Sequence, residues 1–215
     1  MNSAWTTGMV RVGLLGALLV TGGCAGKGET RFLTLHPSSQ GAGPSAQEPV
    51  KIVIVPFDDR RTEKGLLGQR THLWGGVTYF QVTGERPGEA VAQALADRLK
   101  TRGWRDRAWT VQVVQPGVAA DADILISGQV QELSAQAKSR AFSTVITTAS
   151  KLTIQARNQG DASTTTRMVE GGQSRTVFWF TEEDVQELLA STVQDGITRF
   201  LSDTTIEQRA LRPAH

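Results

Sequence analysis

Apolar and polar residues alternate along this chain in patterns typical of both strands and helices. Val50–Phe57 is a continuously apolar run, which predicts a central strand because such a strand is buried on both faces. Residues 87–103 carry apolar side chains at helical spacing, with a proline in the first turn and a glycine at the end. The apolar run Trp109–Val114 follows, so the first half of the domain predicts a β-α-β unit.

The second half of the chain shows the strict alternation of half-buried strands. Three segments, 123–137, 142–157 and 164–180, are separated by polar turn residues and predict an antiparallel meander. Their outward positions are mostly Thr, Ser and Gln. We therefore expect one face of the meander to remain polar and open.

The last apolar pattern has a helical period. It covers residues 185–201 behind Thr181 and three acidic residues, which predicts a capped helix. Gly196 lies inside this helix and indicates either a close approach to the sheet or a tolerated defect. Together the elements predict an α/β (α+β) domain, with a mixed or antiparallel sheet and two main helices packed on one face.

The amino-terminal segment has a different pattern. A stretch with one positive charge, Met1–Arg11, precedes the apolar residues 12–20 and then Thr21-Gly22-Gly23-Cys24. This order is typical of a secretory signal. Roughly nine apolar residues are too few for a transmembrane helix, which needs about 20.

Small residues that end in a cysteine resemble the lipobox of bacterial lipoproteins, although Thr21 stands where Leu is usual. The resemblance implies cleavage between Gly23 and Cys24 and an N-acyl diacylglyceryl anchor on Cys24, with palmitate among its chains and the diacylglyceryl group on the sulfur. Ala25, in place of Asp, then implies the periplasmic face of the outer membrane. The alternative is an ordinary signal peptide with a chance cysteine, but the chain has no second cysteine for a disulfide.

These features divide the chain into four parts. We expect a signal peptide at 1–23, a flexible tether at 24–48, a periplasmic domain at 49–206 and a charged tail at 207–215. The tether is rich in Gly, Ser, Gln and Pro, and it would give a reach of about 25–30 Å. Within it, residues 31–35 are either a strand at a sheet edge or disordered.

Candidate chemistry is sparse in this sequence. Asp58 and Asp59 follow the first strand and could act as acid and base or bind a metal, but adjacent carboxylates on an extended chain point apart. His72 has no partner at metal-ligand spacing, and no catalytic, phosphate or dinucleotide motif is present. The net charge of +2 does not indicate nucleic acid as a partner. We expect no enzyme activity, no cofactor and no metal.

Aromatic residues beside glycines give the best candidate for binding. Trp74, Tyr79 and Phe80 lie in a glycine-rich stretch, residues 62–86, that predicts a long loop or a small hairpin. Exposed aromatics of this kind suit a docking surface for another protein. The alternative is that all three pack on the edge of their own domain.

The order of elements resembles a known family. The first strand, the helix at 87–103, the segment 122–130, the meander and the final helix that begins at Val185 are similar to YajG-type lipoproteins of Gram-negative bacteria. The resemblance implies an outer-membrane lipoprotein with a periplasmic α/β domain. Its Val-Ile-Val-Pro-Phe-Asp-Asp opening, at residues 53–59, also resembles envelope lipoproteins that serve as accessories of larger machines.

These observations favour a non-enzymatic interaction module at the membrane surface. It would bind another envelope protein through the open meander face, the Trp74 loop or strand addition at a sheet edge. A carrier that holds a lipid or small apolar ligand between sheet and helices is the alternative. A hydrolase that uses Asp58 or Asp59 is a more distant one.

Overall fold

A computed structural model describes residues 27–33 (backbone only), 50–82, 84, 86–101, 109–118 and 121–214 of the chain. The signal peptide 1–23 and the predicted cleavage and acylation site, Gly23 and Cys24, lie outside these residues. Neither of the two described helices is long and apolar enough to span a membrane. The helices are α1 (Pro87–Thr101) and α2 (Glu182–Ser202), and the strands are β1 (Lys27–Leu33), β2 (Lys51–Ile54), β3 (Asp58–Asp59), β4 (Gly68–Thr71), β5 (Val77–Val82), β6 (Thr110–Val113), β7 (Ile124–Ser139), β8 (Thr144–Asn158), β9 (Thr164–Val177), β10 (Thr204–Glu207) and β11 (Ala210–Pro213).

Strand β7 is the spine of a nine-stranded mixed sheet. Strand β8 pairs antiparallel along one of its sides, and β9 pairs antiparallel with β8. Strands β2, β3 and β4 pair in parallel with successive parts of its other side. The sheet continues from β2 to β6 and from β4 through β5 to β1. The predicted α+β class with a mixed sheet is therefore confirmed.

The first half of the domain forms the expected β-α-β unit. Ile52, Val53 and Ile54 of β2 are all buried, as the continuously apolar run predicts. Helix α1 follows the inserted strands β3, β4 and β5 and leads to β6, which pairs with β2 in parallel. Its alanines and leucines face the core, so the helix packs closely on the sheet.

Strands β7, β8 and β9 form the predicted meander. Alternate residues of β8, from Thr144 to Asn158, are buried, and the residues between them are half-buried or exposed. Helix α2 packs across β8 and β9 on the buried face, where Leu152 and Val169 meet Val193 and Ile197 in one apolar core. The opposite face of the meander remains open, and we refer to it as the open face.

The predicted flexible tether is ordered over residues 27–33, which agrees with the edge-strand alternative for residues 31–35 as far as Leu33. These residues form β1, which pairs in parallel with β5 and begins where Lys27 lies beside Val77. The backbone of this segment gains sheet hydrogen bonds, which offset the entropy lost on ordering. The remaining tether residues, 24–26 and 34–48, lie outside the described part of the chain.

The carboxy-terminal tail also differs, because it forms the hairpin of β10 and β11. Leu211 is fully buried. The buried Asn158 side chain donates a hydrogen bond to the Leu211 carbonyl at 3.1 Å and accepts one from its N–H at 2.8 Å. Arg209 pairs with Asp123 at 2.6 Å. The domain thus extends through Pro213, beyond the predicted boundary at 206.

Two glycines near the contact of α2 and the sheet differ in their surroundings. A Cβ atom on Gly171 of β9 would lie 2.7 Å from the Thr192 carbonyl oxygen and 2.9 Å from Ser150 Oγ. A Cβ atom on Gly196 would lie 3.6 Å from Val169 Cγ2, which is an ordinary contact. The close approach therefore requires a glycine at 171, and the one at 196 is a tolerated defect.

We expect Gly196→Ala to raise the free energy of unfolding by up to about 1 kcal/mol, because alanine is the better helix former. Gly171→Ala should lower it by about 1–3 kcal/mol, because the methyl group forces the helix away from the strand. Urea unfolding of the two variants measures both values. Equal effects at both positions would contradict this assignment of the close approach.

Candidate partner-binding surface

The three aromatic candidates lie in a β-hairpin, one of the two forms predicted for residues 62–86. Strands β4 and β5 pair antiparallel, and the turn between them carries Trp74. Because successive side chains of a strand point to opposite faces, Tyr79 and Phe80 of β5 are on different sides of the sheet. The structure therefore separates Trp74, Tyr79 and Phe80 into three environments.

Phe80 belongs to the core, so it is not a docking residue. Its side chain is fully buried, and its ring stacks on Phe180 with centroids 6.3 Å apart. The guanidinium of Arg70, a residue of β4, lies 4.0 Å from the centre of the Phe180 ring. Phe80 thus helps to fix the segment that leads from β9 into α2. For this residue the alternative, packing on its own domain, is the correct one.

Tyr79 lies on the open face, in a row of polar residues that crosses five strands. It pairs with Gln69, which pairs with Gln136 of β7. Gln136 is next to Thr147, and Thr147 is next to Ser174. This row gives the open face hydrogen-bonding groups along a line, with one aromatic side chain near its end.

A groove of about 470 Å³ lies beside Tyr79 on this face. One wall is the loop at 61–67, and the opposite wall is formed by outward residues of β7, among them Glu132, Ser134 and Gln136. The groove is open to solvent and is lined by both polar and apolar side chains. Such a site can receive an extended segment or a projecting side chain of a partner.

The buried side chain of Arg61 builds the loop wall. Its guanidinium donates hydrogen bonds to the Leu66 carbonyl at 2.9 Å and the Lys64 carbonyl at 3.0 Å. It also forms a bidentate pair with the Asp59 carboxylate, at 3.0 and 2.9 Å. A single buried cation therefore holds the loop against the sheet.

This ion pair assigns Asp59 a structural role. Partial burial by itself would raise the pKa of the Asp59 carboxyl, but the hydrogen bonds from Arg61 outweigh it and lower the pKa below its ordinary value. A carboxylate held in this way is a weak base and does not supply a proton near neutral pH. The exposed Asp58 pairs with the exposed Arg60 at 2.6 Å.

Asp58 and Asp59 line a second cavity of about 660 Å³, at the amino-terminal end of α1. His72 is distant from it, since Asp59 lies beside Val130 of β7 and β4 ends beside Lys138 of the same strand. These eight positions correspond to roughly 25 Å of strand. The arrangement does not bring the aspartates and His72 together as an acid–base pair.

Sequence reasoning missed Arg61 as the organiser of the groove. Arg60 and Arg61 directly follow the two carboxylates in the sequence, but nothing in the sequence indicates that Arg61 is buried. The exposed aromatic side chains at one end of the meander, Phe142, Phe178 and Trp179, were also missed. The aromatic triplet at 178–180, directly before a helix cap, was the available signal.

Solved structures of low sequence identity are similar to this chain. A Xanthomonas campestris protein of family DUF330 matches with a TM-score of 0.53 and 8% identity, over 80% of this chain and 92% of that one. A neuraminyllactose-binding hemagglutinin homologue from Helicobacter pylori matches with a TM-score of 0.45 and 9% identity, over 82% and 94%. A Neisseria meningitidis lipoprotein matches with a TM-score of 0.26 and 12% identity, over 70% and 99%.

The first of these likenesses shows a common fold, and the other two are too distant to support an argument. No protein-family model matches the chain, and no curated protein matches its sequence.

We expect Asp59→Asn to lower the free energy of unfolding by about 2 kcal/mol at pH 7, because it weakens charge-assisted hydrogen bonds to a buried guanidinium. The folded-state pKa of Asp59 is lowered, so this stabilisation is complete above the unfolded pKa of about 3.9 and is lost as the pH falls toward the folded value. Urea unfolding between pH 7 and pH 3 measures both effects.

The matched control is Asp58→Asn, which removes an exposed ion pair and should change stability by less than about 0.5 kcal/mol. If Asp58→Asn destabilises as much as Asp59→Asn, the loop wall does not depend on the buried pair.

Proposed function

We propose that this protein is a lipid-anchored, non-enzymatic module of the bacterial envelope that binds another envelope protein. In this proposal the acylated Cys24 holds it at the periplasmic face of the outer membrane, as in the YajG-type lipoproteins that the sequence resembles. The partner occupies the open face of the sheet, centred on the groove beside Tyr79.

The observation that carries the proposal is this polar face without a covering layer in the described chain. Both helices pack on the other face, so the open face is accessible to a partner across the five strands of the polar row. The row from Tyr79 to Ser174 offers donors and acceptors together with one aromatic anchor. Interfaces of transient complexes have this mixed composition.

The same geometry gives less support to the other candidate functions. A carrier needs space between sheet and helices, but large side chains such as Leu152, Ile154 and Phe200 fill that layer. A hydrolase needs an acid and a base at one site, and Asp59 is committed to Arg61. The first observation disfavours the carrier, and the second disfavours the hydrolase.

A photo-crosslinking amino acid placed at Thr147 in the full-length protein should give a discrete covalent adduct with one envelope protein in living cells. Thr147 is exposed on the open face, so the probe does not disturb the core. The matched control is the same probe at Thr198, an exposed threonine of α2, which should give no such adduct.

The adduct at position 147 should become several-fold weaker when Tyr79→Ala removes the aromatic side chain from the groove. Aromatic anchors often carry 2 kcal/mol or more of the affinity of an interface, which corresponds to about 30-fold. Adducts of equal strength at 147 and 198, or no adduct at 147, would contradict the assignment of this face.

The anchor itself is tested by Cys24→Ser. We expect loss of incorporated palmitate and loss of the mature protein from washed outer membranes, because the lipid chains provide the irreversible part of the attachment. A Ser45→Ala variant in the predicted tether should behave as wild type. An unacylated wild-type protein that fractionates with the aqueous periplasm would remove the basis of the proposed location.

A further inference from the structure

Three turns at one end of the sheet carry most of the exposed large apolar side chains. Seven such side chains are exposed among the described residues, and five of them lie on these turns. We call this group the aromatic end. Its members are Leu73 (45% exposed), Trp74 (91%), Phe142 (87%), Phe178 (81%) and Trp179 (89%).

The strand register places these turns side by side, although they are far apart in sequence. Thr71, at the end of β4, lies beside Lys138 near the end of β7. Thr144, at the start of β8, lies beside both Ser139 and Val177. Neighbouring strands are about 4.8 Å apart, so the three turns follow one another within roughly 15 Å.

The turn from β9 into α2 is built to hold its aromatics outward. Phe180 is packed between Phe80 and Arg70, and Thr181 closes a capping box with Asp184. Phe178 and Trp179 directly precede these fixed residues. The two exposed rings therefore lie in an ordered turn, because the residues that follow them are fixed by packing and by the helix cap.

The hairpin turn between β4 and β5 is also defined by its own hydrogen bonds. The His72 N–H donates to the Gly76 carbonyl, and the Gly75 N–H donates to the His72 carbonyl, both at 3.2 Å. Gly75 and Gly76 have φ values of +86° and +89°, which only glycine adopts readily. The turn presents Trp74 to solvent at the tip of the hairpin.

The chain enters the sheet at this same end. Strand β1 is parallel to β5 and begins where Lys27 lies beside Val77, the first residue after the Trp74 turn. Cys24 is three positions before Lys27. Three residues span at most about 11 Å, so lipid attached to Cys24 must lie close to the aromatic end.

We propose that the aromatic end contacts the bilayer that receives the Cys24 lipid, with Trp74, Phe142, Phe178 and Trp179 in the boundary between headgroups and acyl chains. This inference rests on the acylation of Cys24 in the proposed function. It adds a second, non-covalent contact that fixes the orientation of the domain on the membrane.

The chemistry of these side chains suits a lipid surface. Trp and other aromatic side chains favour the bilayer interface, where an apolar ring meets lipid and the indole N–H stays near polar groups. The charges nearby are mixed, with Lys138 and Arg140 on one turn and Glu182 and Glu183 at the start of α2. Binding should therefore depend on apolar insertion and only weakly on salt.

The proposed contact also sets the position of the open face. With the aromatic end on the membrane, the strands rise from the lipid and the open face points sideways. The hairpin of β10 and β11, at the far end of β7, is directed away from the membrane. The groove beside Tyr79 then remains accessible to a partner in the periplasm.

The test is quenching of tryptophan fluorescence by brominated lipid. The mature wild-type protein is reconstituted in vesicles of phosphatidylethanolamine and phosphatidylglycerol at a 3:1 ratio, with bromine on the acyl chains. We expect the brominated lipid to quench the wild-type emission. Most of this quenching should be lost in a Trp74→Phe, Trp179→Phe double variant. Trp109→Phe, which changes a partly buried residue packed on the core, should leave the quenching intact.

Quenching that is absent, or equal in the double variant and wild type, overturns the proposal. If quenching is absent and the emission of Trp74 and Trp179 instead changes with the ratio of protein to lipid, the aromatic end makes contacts between copies of the chain. That result also overturns the proposal. Far-ultraviolet circular dichroism of each variant verifies folding, and residues this exposed should not affect it.

The mass of the amino-terminal peptide from the same preparation reports acylation separately. If Cys24 carries no lipid, the proposed location fails, and the protein is then added to preformed brominated vesicles. Quenching at Trp74 and Trp179 under those conditions supports the aromatic end as a membrane contact by itself, and its absence rejects it.

Discussion

The backbone pairing of β7 on both of its sides is the constraint on which the sheet depends. This strand binds β8 along one side and three short strands along the other, so two arms of the sheet diverge from it. A bulge between Val130 and Glu132 shifts its register. Val130 and Leu133 are three positions apart, yet both are buried, and only the extra residue of a bulge allows this.

The bulge also determines where the groove lies. Without it, Leu133, Ala135 and Ala137 would face the solvent, and Ser134 and Gln136 would face the helices. Residues that line the groove come from this shifted part of β7. The groove is therefore a consequence of the same register that keeps the core apolar, and the buried Arg61 closes it from the side of the loop.

Strong periodicity made the helices and the meander predictable from sequence. The terminal strands were not, and the reason is physical. The turn between β10 and β11 places Gln208 and Arg209 at φ values of +47° and +65°, where hairpins usually have Asn or Gly. The sequence therefore predicted a charged tail for this segment. In the structure Leu211 is buried, and its backbone N–H donates a hydrogen bond to the Asn158 side chain. The alternation of side chains along a strand places Tyr79 and Phe80 on opposite faces, but the sequence did not establish that these residues form a strand.

The aromatic end could not be predicted from the sequence for a different reason. Trp74, Phe142 and Trp179 belong to turns separated by dozens of residues, and only the register of four strands brings them together. The proposed membrane contact depends on the direction of β1. Antiparallel pairing with β5 would start β1 at the opposite end, roughly 20 Å from Trp74. Because the pairing is parallel, β1 begins at the end of the sheet that carries the exposed aromatic rings, and in the proposed membrane contact this edge strand sets the orientation of the sheet.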